Sequence, residues 1–129
     1  MFQISTMSSS TAEVSEVGEK SQTLLLGDDL VVVSSWVEPN NPEVTYSGHP
    51  NEEALLVISG ELEVNIDGVR LRLSGGSAML IPRGASHSVV NIGSSEAHYV
   101  AVMVGSTLAA MPNEVQEMIR QWFRPNRIQ

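Results

Sequence analysis

The stretch 61-ELEVNIDGVRLRL-73 decides the class of this fold. Leu62, Val64 and Ile66 alternate with Glu61, Glu63 and Asn65, and after Asp67-Gly68 the alternation resumes with Val69, Leu71 and Leu73 against Arg70 and Arg72. A period of two is the signature of a strand with one face buried. Asp67-Gly68 is a two-residue hairpin turn, because both central positions need positive φ and these residues tolerate it. Pairing Ile66 with Val69 then sets Val64 against Leu71 and Leu62 against Leu73 on the core face, with Glu63 opposite Arg72 and Asn65 opposite Arg70 on the wet face.

On both sides of this hairpin the chain reads as more of the same. Short apolar runs punctuated by Gly, Pro, Asn and Ser continue from Thr23 to Gly105, giving six to eight strands between residues 22 and 105 and no internal repeat. Gly27-Asp28-Asp29 breaks TLLLGDDLVVVSSWVE into two runs, and EPNNPE (38–43) is a loop. SAMLIPRGASHSVVNIG reads as strand, tight turn with Pro82 second and Gly84 fourth, then strand. AHYVAVMVG is a further apolar strand. The class is all-β, a closed barrel or two-sheet sandwich.

The ends differ from this middle. Residues 1–21, with Ser8, Ser9, Ser10 and Thr11 in a row, read as a flexible N-terminal segment, and the barrel is expected over 22–106. In the remaining 107–129, Val115, Met118, Ile119, Trp122 and Phe123 fall on one face of a short C-terminal α-helix, with an Asn113/Gln116 capping box and Pro125 as a stop. So short an amphipathic helix must dock, on the barrel or on a second subunit.

The chain of 129 residues suits one domain. Its formal charge of -8 opposes nucleic-acid phosphates and anionic lipid. No basic start, signal-length apolar stretch or membrane-spanning window is seen, so the expectation is a cytoplasmic protein with no membrane partner. The absence of cysteine removes disulfides and thiolate ligands, leaving nitrogen and oxygen donors for any metal.

Two stretches carry the chemistry. In 47-SGHPNEEALLVISG-60, residues 47, 49 and 53 share strand parity with Leu55 and Val57, so a barrel interior would collect Ser47, His49 and Glu53. In 76-GSAMLIPRGASHSVVN-91, Gly76, Pro82, Gly84, His87 and Asn91 stand at spaced intervals. Together these resemble the paired motifs of the cupin superfamily, G-x5-H-x-H-x3,4-E-x6-G and G-x5-P-x-G-x2-H-x3-N, in the correct order and separated by a hairpin. The second is complete. In the first, His49, Glu53 and Gly60 match, while Asn41 stands for the leading glycine and Ser47 for the first histidine.

The resemblance implies a single jelly-roll β-barrel with a divalent transition metal held by His49, Glu53 and His87, and with Ser47 leaving one coordination position to water or substrate. Two imidazoles and a carboxylate match the facial triads of non-haem iron, so iron leads, with manganese, zinc or nickel as alternatives. A polar cluster in a metal-free barrel is the competing reading. A metal-dependent enzyme on a small organic substrate is implied, with a lean to dioxygenase chemistry; the alternatives are a redox-neutral isomerase, lyase or decarboxylase and a non-catalytic small-molecule-binding barrel. Tyr46, Trp36 and His98 are further candidates for the pocket wall, although His98 in a Val-rich strand is more readily a hydrogen-bonded structural residue. Glu52 has the wrong parity, and Arg83 belongs to an exposed turn. Small cupins commonly pair, so a homodimer is expected.

Overall fold

The computed structural model describes residues 2–14, 19–46, 48, 50–105, 113–122 and 126–128. Among these residues eleven strands run in chain order: β1 (Phe2–Ile4), β2 (Glu13–Val14), β3 (Glu19–Leu26), β4 (Leu30–Val37), β5 (Glu52–Ser59), β6 (Glu61–Ile66), β7 (Val69–Ser74), β8 (Ala78–Ile81), β9 (His87–Asn91), β10 (Ala97–Val104) and β11 (Asn126–Ile128). A six-stranded sheet has the order β2-β3-β4-β10-β5-β8, a three-stranded sheet the order β7-β6-β9, and β1 pairs with β11. Every pairing is antiparallel.

The two larger sheets face each other across one core. Val37, Leu55, Val57, Ile81, Ala97, Tyr99 and Ala101 from the large sheet meet Leu62, Val64 and Leu73 from the small one. Removing such side chains from water, at roughly 25 cal/mol per Å² of apolar surface, is what holds the sheets together. The chain crosses between sheets at Ser59-Gly60-Glu61, where β5 hands over to β6. Across the opposite gap an isolated bridge joins Tyr46, just ahead of β5, to His87 of β9.

The β6–β7 hairpin has the register expected of it, Ile66 with Val69, Val64 with Leu71 and Leu62 with Leu73. Asp67 (φ 48°) and Gly68 (φ 90°) both take the left-handed backbone that the turn demands. One part of the expectation changes. Leu62, Val64 and Leu73 are buried, but Val69 and Leu71 are 59% and 44% exposed; β7 is the sheet edge, and toward the hairpin tip the core no longer reaches it.

The Pro82 turn is shifted by one residue from expectation. The Ala85 N–H donates to the Pro82 carbonyl at 3.3 Å, so Pro82 is first and Gly84 third, the position where a type II turn needs the positive φ (76°) that Gly84 has. At the start of the chain, β3 begins at Glu19 rather than residue 22. Residues ahead of it are tied to β3: the Gln3 side chain donates to the Leu26 carbonyl (2.9 Å), and Gln22 Oε1 accepts from the Ser8 N–H (3.1 Å).

Candidate functional site

His87 opens β9 and is 6% exposed; Glu53, near the start of β5, is 7% exposed. They come from different sheets, yet His87 Nε2 and Glu53 Oε2 stand 4.0 Å apart. Nδ1 of His87 lies 3.3 Å from the Ala85 carbonyl. A carbonyl can only accept, so the Nδ1–H donates to it, and Nε2 is the ring atom that faces Glu53. A ring nitrogen and a carboxylate oxygen are donor types that a divalent cation takes, with N and O ligands each about 2.0–2.2 Å from it. The backbone carbonyl on the other ring nitrogen is the usual partner of a metal-ligating histidine.

His49 and Ser47 lie outside the described residues, and among those described no group of three His, Asp or Glu forms a ligand cluster. Glu53 and His87 are brought together, and Tyr46 joins them. Its N–H donates to the His87 carbonyl (2.8 Å), the His87 N–H donates back (3.1 Å), and the two rings lie 5.9 Å apart. Burial, with the negative charges of Glu19 and Glu53, pushes the Tyr46 phenol up to about 12.

Trp36 and His98 are not part of this site. In β10 the buried residues are Ala97, Tyr99, Ala101 and Met103, which leaves His98 on the opposite face, paired with Trp36 of β4. Their rings stack with centroids 4.6 Å apart and planes 9° off parallel, and His98 Nε2 is 2.6 Å from Ser34 Oγ. Partial burial holds the His98 imidazole below its ordinary range. Both lie on the face of the large sheet turned away from Glu53 and His87, with Trp36 buried there, so His98 takes the hydrogen-bonded structural role that its Val-rich strand suggested.

Glu19 is the interior residue that sequence reasoning missed. Ser21, Ser35 and Tyr99 form one cross-strand row over β3, β4 and β10. Tyr99 donates to Glu19 Oε1 at 2.6 Å, and the Ser21 and Ser35 hydroxyls are 3.0 Å apart. Burial raises the Glu19 carboxyl, against the hydrogen bonds from Tyr99 and Ser35, and repulsion from Glu53 adds to the rise. The Tyr99 phenol is raised too, by burial first and then by Glu19. The only hint in the sequence is the parity Glu19, Ser21, Thr23, polar where an ordinary core strand is apolar.

The remaining motif positions hold backbone. A Cβ at Gly48 would lie 2.0 Å from the Gly84 carbonyl oxygen, so the first motif packs its backbone directly on the turn of the second. Asn91 donates to the Val37 and Ser95 carbonyls and accepts from the Gly93 N–H, each at 2.8 Å, tying the end of β9 to β4 and to the turn beyond. Arg83 is exposed.

Two antiparallel sheets closed over one core, with a histidine and a glutamate from different strands converging inside, define a small β-barrel. A cupin-domain family model matches residues 34–103, more than half of the sequence, and the chain belongs to the cupin family. Among solved structures it resembles the Cnp3 cupin domain of Schizosaccharomyces pombe (17% identity, TM-score 0.64, covering 68% of this chain and 66% of that one). An RmlC-like cupin from Shewanella frigidimarina matches over 89% of this chain and 99% of its own (21% identity, TM-score 0.65). The iron(II) form of HppE matches over 71% of this chain and 54% of its own (22% identity, TM-score 0.65). The matched region thus spans about two thirds of the Cnp3 structure and about half of HppE, and at these identities the likeness is one of fold. Comparison with curated protein sequences gave no match.

Proposed function

We propose that this cupin is a metal-dependent enzyme acting on a small organic substrate, with His49, Glu53 and His87 as ligands of one divalent transition metal. The observation that carries the reading is the buried pair His87 Nε2 and Glu53 Oε2, 4.0 Å apart, with the other nitrogen of His87 committed to the Ala85 carbonyl. A carboxylate and an imidazole turned toward one another from two sheets are the donor types a divalent transition metal takes. Two imidazoles and a carboxylate favour iron, and the fold is shared with a protein crystallised with iron(II).

A bound cation would supply Lewis acidity, and as iron would supply redox chemistry with dioxygen. The chain's own groups do the rest. The Ala85 carbonyl fixes the His87 tautomer. The Tyr46 phenol, pushed up to about 12, stays protonated at neutral pH and can donate to a substrate oxygen. Glu19 and Tyr99 form a hydrogen-bonded polar surface inside the barrel, while Leu55, Val57 and Ile81 exclude water around it.

Elemental analysis of protein purified without chelator tests the reading. Near one equivalent of transition metal per chain is expected, with His49→Ala and His87→Ala each losing most of it and Ser47→Ala retaining it. A protein that arrives metal-free and refuses iron, manganese, zinc and nickel would make the barrel a plain binding module. Oxygen consumption with candidate substrates then separates dioxygenase from redox-neutral chemistry.

The C-terminal segment we assign to an amphipathic helix that packs on the barrel or on a second copy in a homodimer; helical backbone over Asn113–Trp122 supports this. Light scattering on a chain ending before Met111 should then show a smaller oligomer than the full chain.

A further inference from the structure

The loop between β4 and β5, which leads into Ser47 and His49, is stitched along the free edge of β9. Asn41 supplies the first rung with its side chain: Oδ1 accepts from the Asn91 N–H (2.8 Å) and Nδ2 donates to the Val89 carbonyl (3.3 Å). The backbone exchange between Tyr46 and His87 supplies the last. Between these rungs, Glu43 reaches onto the outer face of the small sheet, where Ser88 Oγ donates to its Oε2 at 2.9 Å.

Arg70 completes the arrangement from the far edge. Asn65 of β6 pairs with Arg70 of β7 on one side and with Ser88 of β9 on the other, so Arg70 must lie across β6 to meet Glu43. It does so with two parallel bonds, Nη1 to Oε2 at 2.9 Å and Nη2 to Oε1 at 3.1 Å, while Nη1 also bonds Glu63 Oε1 at 2.9 Å. The bidentate fork fixes direction as well as distance. Hydrogen bonds from Arg70 and Ser88 hold the Glu43 carboxyl below its ordinary range.

We propose that Glu43 and Arg70 are positioning residues for the metal site, clasping the loop that carries the first motif to the strand that carries His87. The proposal rests on the metal reading given above. Arg70 and Glu43 are 50% and 36% exposed at their side chains, and exposed ion pairs contribute little to global stability. Their consequence is local: with the ion pair gone, the described hydrogen bonds of Asn41, Tyr46 and Ser88 are left to hold the loop to β9, and the loop that leads into the first motif is less firmly set against the strand of His87.

Zinc(II), which binds N/O sites more tightly than iron or manganese, is the probe, titrated against a chromophoric chelator. Arg70→Ala and Glu43→Gln should each weaken zinc about 10-fold, the lower end of what outer-shell partners of metal ligands cost. Melting temperatures of the metal-free proteins should stay within about 3 °C of the parent. Arg70→Lys should restore part of the affinity, and hydrogen exchange at the Tyr46 and Asn91 amides should quicken in Arg70→Ala. Unchanged zinc affinity in Arg70→Ala overturns the clasp and leaves the metal site standing. A melting temperature that falls in step with affinity reduces the clasp to ordinary structure. A parent protein that binds no zinc, iron, manganese or nickel overturns the metal reading and this inference together.

Discussion

His87 and His98 lie on two strands of one small barrel, each beside an aromatic ring, and their surroundings differ in every other respect. His87 is 6% exposed, has Nδ1 on a carbonyl, and turns Nε2 toward a carboxylate from the other sheet. His98 has the same Nε2 bonded to the Ser34 hydroxyl and its ring face covered by Trp36. An imidazole whose Nε2 faces a buried carboxylate from the other sheet sits in the surroundings that the proposed metal site needs; one hydrogen-bonded through the same atom and stacked on its face serves the sheet. Strand parity makes the difference. Ala97 and Tyr99 on either side of His98 point into the core, so His98 cannot.

The sharpest way to break this contrast is Trp36→Ala. Trp36 is 8% exposed, and its loss should lower stability by about 3–5 kcal/mol, read by denaturant unfolding, with zinc affinity unchanged. A large fall in metal affinity would mean that the outer face communicates with the site. His98→Ala comes next, expected to cost about 1–2 kcal/mol through the lost hydrogen bond and ring stack, again without effect on metal; His87→Ala should reverse that pattern.

The smallest effect is a pH dependence. Because the folded His98 pKa lies below the unfolded value, the neutral form is favoured by folding, and its contribution is complete above the unfolded value near 6.5. It is lost as pH falls through that value toward the folded one. Comparing stability at pH 7.5 and 5.5 should show a smaller decline in His98→Ala than in the parent; an identical decline would place the titrating group elsewhere.

Local signals were readable where they sufficed. The hairpin at Asp67-Gly68 was legible residue by residue, because a period of two and a two-residue turn leave one register. The spacing from Gly76 to Asn91 was legible through its resemblance to a family motif, while the turn inside it was read one residue off, Pro82 standing first and not second. The face of Trp36 and His98 was left open because their strands are apolar on both faces, so alternation could not say which face was inside. Glu19 was hidden in a segment whose serines suggested a tail, and its partner Tyr99 lies 80 residues away. The Glu43–Arg70 clasp needed the β7-β6-β9 order, which no local pattern contains.

The contact between Gly48 and the Gly84 carbonyl makes the two halves of the site a single measurement of distance. Any side chain at position 48 would drive the first motif's loop and the second motif's turn apart, and the strands carrying Glu53 and His87 are attached to those two pieces. The separation between the candidate ligands is therefore gauged by backbone touching backbone, where substitution at the ligands themselves leaves it unaltered.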